Sequence, residues 1–504
     1  MRQTKVPKEA KFIDRLKSNS AQKKGYKRIK RYPYKLYVPE NLDLEQIFGS
    51  FPPPFHYYLD YFIYILHLII SIPARLKDYD IERQKGFTPI NKTLISKRIH
   101  NYRRYIDFLK QLEIVEEGTS YLAGYYSTGL KYTPRYRTKI KGVYITRNTL
   151  IKSITKSSSN RDVEAENKLH FLKQWFNNKL TIDKVKAVEY LELDKELTRE
   201  LYERKRSDQR RSKYYVSIDD IVTLGYNMKY IVVDRIHEGK NHSLTVDRTS
   251  GRFHSPLTQL KKELRQYVQY DGEKLWAVDI INSQPLLSLI VLDYELFMKN
   301  KIYQILSYYN PIHHELLNLD KLSILYSPTS TMLVNLLKKS HKLKDVQNFK
   351  KSVIDGNFYE FFGELLLEKN LVPSDISNSP EKIRKYAKTA IFTAFFSRVK
   401  DSRWNLQIKA FRKCFPNVAR IFDLVKAGTN SHAALACLLQ RFESNLVLHM
   451  TSVEINESCP SMPVFTIHDS IATTEQFLPH AERIFKKNLC QCLGIEPKFH
   501  IEKW

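Results

Sequence analysis

At 504 residues the chain is long enough for two or three domains with sizeable cores. Its 82 Lys and Arg against 54 Asp and Glu leave a formal charge of +28. A charge that large points to a polyanionic partner, because each neutralised phosphate releases a condensed counterion.

Residues 1–35 carry 13 Lys or Arg and two acids, with little hydrophobic periodicity. They read as a basic flexible arm that lies on phosphates. Further on, "YFIYILHLIISIP" from Tyr61 is the most apolar stretch. It contains His67, ends at Pro73 and is too short to span a bilayer, so a buried helix is predicted. No membrane partner is expected, and no signal-peptide pattern is found. Five cysteines, an odd number with no C-x-x-C pair, point to neither a disulfide framework nor a zinc site. A reducing, cytoplasmic setting follows as the expectation.

Residues 36–150 read as a small separate domain. A short helical segment begins near Ile90, and a second carries Tyr102, Ile106, Leu109 and Leu112 at helical spacing. Two strand-like runs then flank Gly118 and Gly124. Helix, helix, hairpin is the order of a winged helix, whose basic face (Lys97, Arg98, His100, Arg103 and Arg104) would meet a nucleic-acid groove. "TKSSSNRD" (155–162) is a polar boundary. Residues 163–212 are highly charged and read as helical, running into a basic tip, "ERKRSDQRRSKYY".

The chemistry concentrates in 246–504. "LWAVDIINSQPLLSLIVL" (275–292) runs as a strand to Val278 and delivers Asp279 at its end. "PVFTIHDSIATTEQF" (463–477) is an apolar run broken by His468, Asp469 and Ser470. Taken alone, the second break is an ordinary hairpin turn. Taken with the first, two carboxylates on adjacent strands can bridge a pair of Mg²⁺ ions for in-line phosphoryl transfer, with Mn²⁺ as the other candidate. Between them, Arg384, Lys388, Phe392 and Phe396 recur every four residues. Such residues form one slanting helical stripe. Cations followed by aromatics suit a nucleoside triphosphate; the alternative is that the rings belong to the core and the cations to solvent.

From about residue 234 onward these segments, in this order, resemble the family A DNA polymerases, the group typified by bacterial DNA polymerase I. "DRIHEG…TVDRTSGRFHS" resembles the R-I-H and T-x-G-R segments, with Arg252 at the arginine that contacts the primer end. "AVDIINSQPLL" resembles motif A and "GNFYEFF" (356–362) the segment before the fingers. "RKYAKTAIFTAFFS" has the motif B spacing, and "CFPNV" follows it. "LLQRFES" places Gln440 at the template-primer glutamine, and "IHDS" stands at motif C.

The resemblance implies an α+β right-hand polymerase with an antiparallel palm sheet and helical fingers, and a thumb-like region at 163–245. It implies metal ligands at Asp279 and Asp469 with the Ile280 carbonyl, and catalytic cations at Arg384 and Lys388. Gln284, Phe392 and Phe396 would meet the incoming nucleotide; Arg252, Gln440 and His468 would meet the primer-template. The sequence departs from the family where Gln284 replaces a Glu, Phe396-Ser397 replaces Tyr-Gly, and Ser470 replaces the Glu after the motif C aspartate. The H-D-S form is that of single-subunit RNA polymerases. An insertion at about 297–345 is a further departure. A DNA-directed DNA polymerase acting on primer-template and deoxynucleoside triphosphates is the expectation, without a proofreading exonuclease. A single-subunit RNA polymerase or primase-like enzyme, with RNA as a possible partner, is the alternative. A DNA-binding replication initiator with an inactive palm is the reading from another class.

Overall fold

The computed structural model describes residues 33–72, 85–118, 129–156, 160–208, 216–239, 244–309, 327–427 and 433–504. The basic arm expected at 1–35 lies outside them apart from 33–35. So do 157–159 of the expected boundary, 209–215 of the basic tip and 310–326 of the insertion. The chain divides into two compact units, Met1–Pro73 with Phe87–Lys156, and Ala74–Gly86 with Ser157–Trp504.

In the first unit, β1 (Tyr34–Pro39) pairs antiparallel with the later strand Ile140–Ile145. The helix Leu59–Ser71 is apolar around most of its circumference, and Phe62 through His67 are all buried. It therefore forms the centre of this unit rather than an amphipathic face. The His67 ring is accommodated because its Nδ1 accepts from the Tyr37 amide at 3.2 Å. Phe62 meets Phe48 and Tyr105 at ring-centroid distances of 4.8 and 4.7 Å.

Three short strands, β2 (Thr88–Pro89), β3 (Val115–Glu117) and β4 (Gly129–Tyr132), form a sheet of order β2-β4-β3. Between β2 and β3 lie the helices Lys92–Ser96 and Tyr102–Gln111. Asn91 caps the first by accepting from the Leu94 amide. The second buries Tyr105, Ile106, Phe108 and Leu109. The face expected from Tyr102, Ile106, Leu109 and Leu112 is thus shifted: Tyr102 is only half-buried and Leu112 is the C-cap. The strand Ile140–Ile145 that pairs with β1 is β5.

The second unit is built on an antiparallel sheet. Its order is β11-β12-β10-β9-β6, with β13 also on β10. The strands are β6 (Leu180–Ile182), β9 (Val268–Tyr270), β10 (Glu273–Ile280), β11 (Phe465–Ile467), β12 (Ser470–Thr474) and β13 (Phe499–Lys503). A separate small hairpin joins β7 (Thr245–Val246) to β8 (Phe253–His254). β10 is central because Leu275, Ala277, Val278 and Ile280 are all buried, so both edges can be covered by neighbours. It also runs one residue past Asp279, which lies inside the strand rather than at its end.

Helices fill the rest. Lys184–Asp208 packs along Ile218–Glu238. Ser217 caps the latter, and Gly239 ends it in the left-handed conformation that glycine tolerates best. Lys184–Asp234 and Lys229–Asp194 contacts of 2.7 and 2.5 Å tie the pair together. A phenylalanine cluster holds the helices from Lys344 to Val425. Phe349 contacts Phe358 at 4.8 Å and Phe415 at 5.4 Å, while Phe395 meets Phe422 at 5.0 Å. Each fully buried ring contributes roughly 1.5–3 kcal/mol. This is what anchors the helix Pro380–Phe396.

Candidate active site

The two predicted carboxylates come together through strand register. β10 pairs with β12 so that Asp279 stands opposite Ser470, and β11 pairs with β12 so that Ile467 stands opposite Ser470. His468 and Asp469 are then the two residues of a tight turn, with His468 at φ +54°. A two-residue turn of this kind favours positive φ. Asp469 therefore projects from the turn beside the end of β10. Burial pushes the Asp279 carboxyl above its usual range and the neighbouring Asp469 charge pushes it further, while Ser470 and Arg265 oppose the shift.

Ile280, the last residue of β10, is buried and pairs with Phe499 of β13. The His468 ring reaches the surface, yet desolvation by the surrounding protein lowers its pKa, with the Arg252 cation adding to the effect.

A second group of residues, drawn from other elements, is centred on Glu443, on which the Asp469 charge also acts. Arg252 follows Gly251, whose φ of +70° turns the chain between β7 and β8. The Gly251 position lies against Ser444, so the turn packs on the helix Ala434–Ser444. The Arg252 guanidinium donates to Glu443 Oε1 from Nε at 3.0 Å and from Nη2 at 2.7 Å. The other oxygen of Glu443 accepts from Gln284 Nε2 at 2.5 Å. Glu443 is 1% exposed. Its burial raises the carboxyl to about 7 against the opposing pull of Arg252, and Asp469 contributes in the same direction as burial.

The helix Pro380–Phe396 turns Ile383, Ala387, Ala390, Ile391 and Phe395 into the core. The predicted stripe lies on the other side: Arg384, Lys388 and Phe396 are exposed and Phe392 is half-buried. Phe392 and Phe396 stack at 5.6 Å. Arg384 and Lys388 lie 5.3 and 5.7 Å from the centre of the Tyr359 ring, and Arg384 also pairs with Glu360 at 2.5 Å. Burial raises the Tyr359 hydroxyl well above its usual value, with Asp469 among the charges acting on it. Asp469 is thus a common electrostatic neighbour of Asp279, Tyr359, Glu443 and His468.

Gln440 is on the same helix as Glu443, three residues earlier and half-buried, outside the Arg252–Glu443–Gln284 cluster. Glu443 and Tyr359 lie within "LLQRFES" and "GNFYEFF", but neither is singled out by the sequence pattern. A signal for Glu443 exists in hindsight, since Leu439, Glu443 and Val447 follow one another at four-residue spacing and an acid therefore occupies a core position.

The acid pair suits a hard divalent cation chemically, because oxygen ligands and uncompensated negative charge are what such ions require. No group of three or more His, Cys, Asp or Glu side chains that could hold a metal occurs among the described residues. An ion here would complete its shell with backbone carbonyl, water or ligand oxygens.

In the first unit, the basic face is smaller than expected. Arg103 donates to both oxygens of Glu117 at 2.7 Å, and Arg98 is bonded to the Tyr64 hydroxyl. Lys97, His100 and Arg104 are exposed. No helix among the described residues is long and apolar enough to cross a membrane.

Compared with known proteins, no family model and no curated protein matches the chain. Among solved structures, it is similar to the "POL domain of Pol1 from M. smegmatis complex with DNA primer-template and dNTP", at 10% identity and a TM-score of 0.39. That likeness covers 70% of this chain and 71% of the other; at such a TM-score the functional reading rests on the site itself.

Proposed function

We propose that the chain is a template-dependent nucleotidyltransferase, acting as a DNA-directed DNA polymerase. The observation that carries this reading is the strand register that sets Asp279 of β10 opposite Ser470, next to Asp469 in the β11–β12 turn, with Arg384 and Lys388 lying against Tyr359, on which the Asp469 charge also acts. Acids that hold metal beside cations that hold phosphate are the two halves of a phosphoryl-transfer site.

Asp279, Asp469 and the Ile280 carbonyl would hold two Mg²⁺ ions, whose positive charge would favour phosphoryl transfer at this site. The 3′-hydroxyl oxygen of a primer forms a bond to the α-phosphorus and gives up its proton to solvent, as the bond from the α-phosphorus to the bridging oxygen breaks and pyrophosphate leaves with that oxygen. Arg384 and Lys388 take the negative charge that accumulates on pyrophosphate. Displacement of Glu360 from Arg384 accompanies triphosphate binding. Phe392 and Phe396 offer stacked rings to the incoming nucleotide, and Gln284 lies under its sugar. Arg252 and His468 meet the primer strand, with Gln440 towards the nascent pair.

The first unit is read as a winged helix that grips nucleic acid through Lys97, His100 and Arg104. Its helix–strand–helix–helix–hairpin order and its β2-β4-β3 sheet support that reading.

The test is primer extension on DNA and RNA templates with deoxy- and ribonucleoside triphosphates supplied separately, with Mg²⁺. Incorporation of deoxynucleotides on a primed DNA template is expected. Exclusive use of ribonucleotides would move the chain to the RNA polymerase reading. No incorporation with either, alongside intact DNA binding, would favour an initiator with an inactive palm.

A further inference from the structure

Glu443 joins three segments that are remote in sequence. Its helix, Ala434–Ser444, supplies the carboxylate; Arg252 arrives from the β7–β8 turn and Gln284 from the short helix Ser283–Leu287 after β10. The same helix is fastened to the turn elsewhere. Ser444 Oγ donates to the Ser250 carbonyl at 3.1 Å, and Arg441 donates to the Arg248 carbonyl and, at 2.5 Å, to the Tyr309 hydroxyl. Tyr309 in turn donates to the Thr249 carbonyl at 2.5 Å. The turn that carries Arg252 therefore has little freedom relative to Glu443.

Both Gln284 and Glu443 are buried, at 6% and 1% exposure. A carboxylate so deeply enclosed is costly unless its oxygens are satisfied, and here each takes a different partner. Gln284 is held by its Nε2 alone. Its Oε1 is buried with no hydrogen-bond partner among the described residues. Loss of Glu443 would leave the whole Gln284 amide unpaired and free to change rotamer, and would release the Arg252 fork at the same time. One carboxylate thus governs two side chains that serve different parts of the substrate.

We infer that Glu443 is a positioning residue that locks Gln284 and Arg252 into one arrangement, so that sugar selection and the hold on the primer end are set together. The inference rests on the polymerase reading given above. Glu443 touches neither nucleotide nor primer in this scheme and acts through the two side chains it binds. Arg384 and Lys388 approach from a different helix and are independent of it.

The experiment measures single-turnover incorporation of deoxy- and ribonucleotides, together with primer-template KM, for the full chain and for Glu443→Ala, Glu443→Gln, Gln284→Ala and the Gln284→Ala/Glu443→Ala double variant. Glu443→Ala should lower the deoxy-to-ribo ratio by about tenfold or more, the scale of leaving a buried polar group unpaired. The double variant should lower it no further than Gln284→Ala does, because both act through one side chain. Primer-template KM should rise in Glu443→Ala but not in Gln284→Ala, which a general loss of packing would not produce. Glu443→Gln should restore most of both properties, since an amide there can accept from Arg252 and donate to a reoriented Gln284.

Should Glu443→Ala fail to fold, Glu443→Leu fills the same volume without polar contacts and carries the same expectations. A sugar ratio unchanged in folded Glu443→Ala or Glu443→Leu, with an active wild type, overturns the inference alone. A wild type that incorporates neither nucleotide overturns the polymerase reading and the inference with it.

Discussion

Asp279 faces Ser470 across β10 and β12, and Asp469 is the residue immediately before Ser470 in the turn. A single step of strand register would carry Asp279 to the opposite face of the sheet, since side chains alternate along a strand. The pairing is held in place by Ala277, Val278, Ile471 and Ala472, all fully buried around it. The core of the sheet thus fixes Asp279 towards the end of its central strand, beside the β11–β12 turn, where the Asp469 charge raises the cost of ionising it.

If these acids hold metal, Asp279→Asn and Asp469→Asn should each lower nucleotide incorporation by at least ~10³-fold while leaving DNA affinity nearly intact, by the scale of metal-ion catalysis. Rapid-quench incorporation alongside a DNA-binding titration checks this. Turnover by Asp469→Asn near the wild-type rate rules out its role as a metal ligand.

If Arg384 and Lys388 bind the triphosphate, Lys388 and Glu360, the partner of Arg384, should behave oppositely on substitution. Lys388→Ala should slow incorporation by about 10²-fold, the usual loss when one group stabilising developing charge is removed. Glu360→Gln should instead lower the nucleotide KM by roughly two- to threefold, because the exposed Glu360–Arg384 pair is worth at most about 1 kcal/mol and competes with the triphosphate. A KM that rises in Glu360→Gln would mean that Glu360 supports Arg384 rather than competing for it.

In the first unit, Arg103 and Arg104 are adjacent in sequence but predicted to differ in role. Lys97→Ala and Arg104→Ala should each reduce the slope of log affinity against log salt for DNA by about 1. Arg103→Ala should instead lower thermal stability, by about 1 kcal/mol or less, since its guanidinium is committed to Glu117. DNA-binding titrations across a salt series and thermal melts separate the two outcomes.

The pH dependence of stability should carry a Glu443 contribution of known sign. Its folded pKa of about 7 lies above its ordinary value of 4.5, so between them the folded chain holds a proton that the unfolded chain has released. Stability from this group is therefore lost as pH rises through that window and is level above it. The difference in unfolding free energy, wild type minus Glu443→Gln, should fall from pH 4.5 to 7. A flat difference would mean that Arg252 keeps Glu443 ionised throughout.

Some of the architecture is legible without coordinates. The four-residue spacing of Arg384, Lys388, Phe392 and Phe396 specifies one face of a helix, and the buried alanines and isoleucines between them turn that face outward. The break at His468-Asp469 in an apolar run specifies a turn, because polar residues favour turns there, and His468 takes the positive φ that such a turn accepts. The helix from Leu59 is legible as buried for a similarly local reason, being apolar on nearly every side.

What the sequence determined by itself is therefore local: helical faces, turns, and the apolar runs that deliver Asp279 and Asp469. Which groups meet was decided by tertiary structure. Glu443 lies 191 positions from Arg252 and 159 from Gln284, and no periodicity connects residues so far apart. Arg103 reads as a free cation until β3 brings Glu117 against it. The face of Tyr102 yields to that of Tyr105 and Phe108 because the aromatic cluster around Phe62 lies on their side. Spacing reports which side of an element is apolar, whereas the partner of a buried charge is chosen by strand register and helix packing, which depend on the whole chain at once.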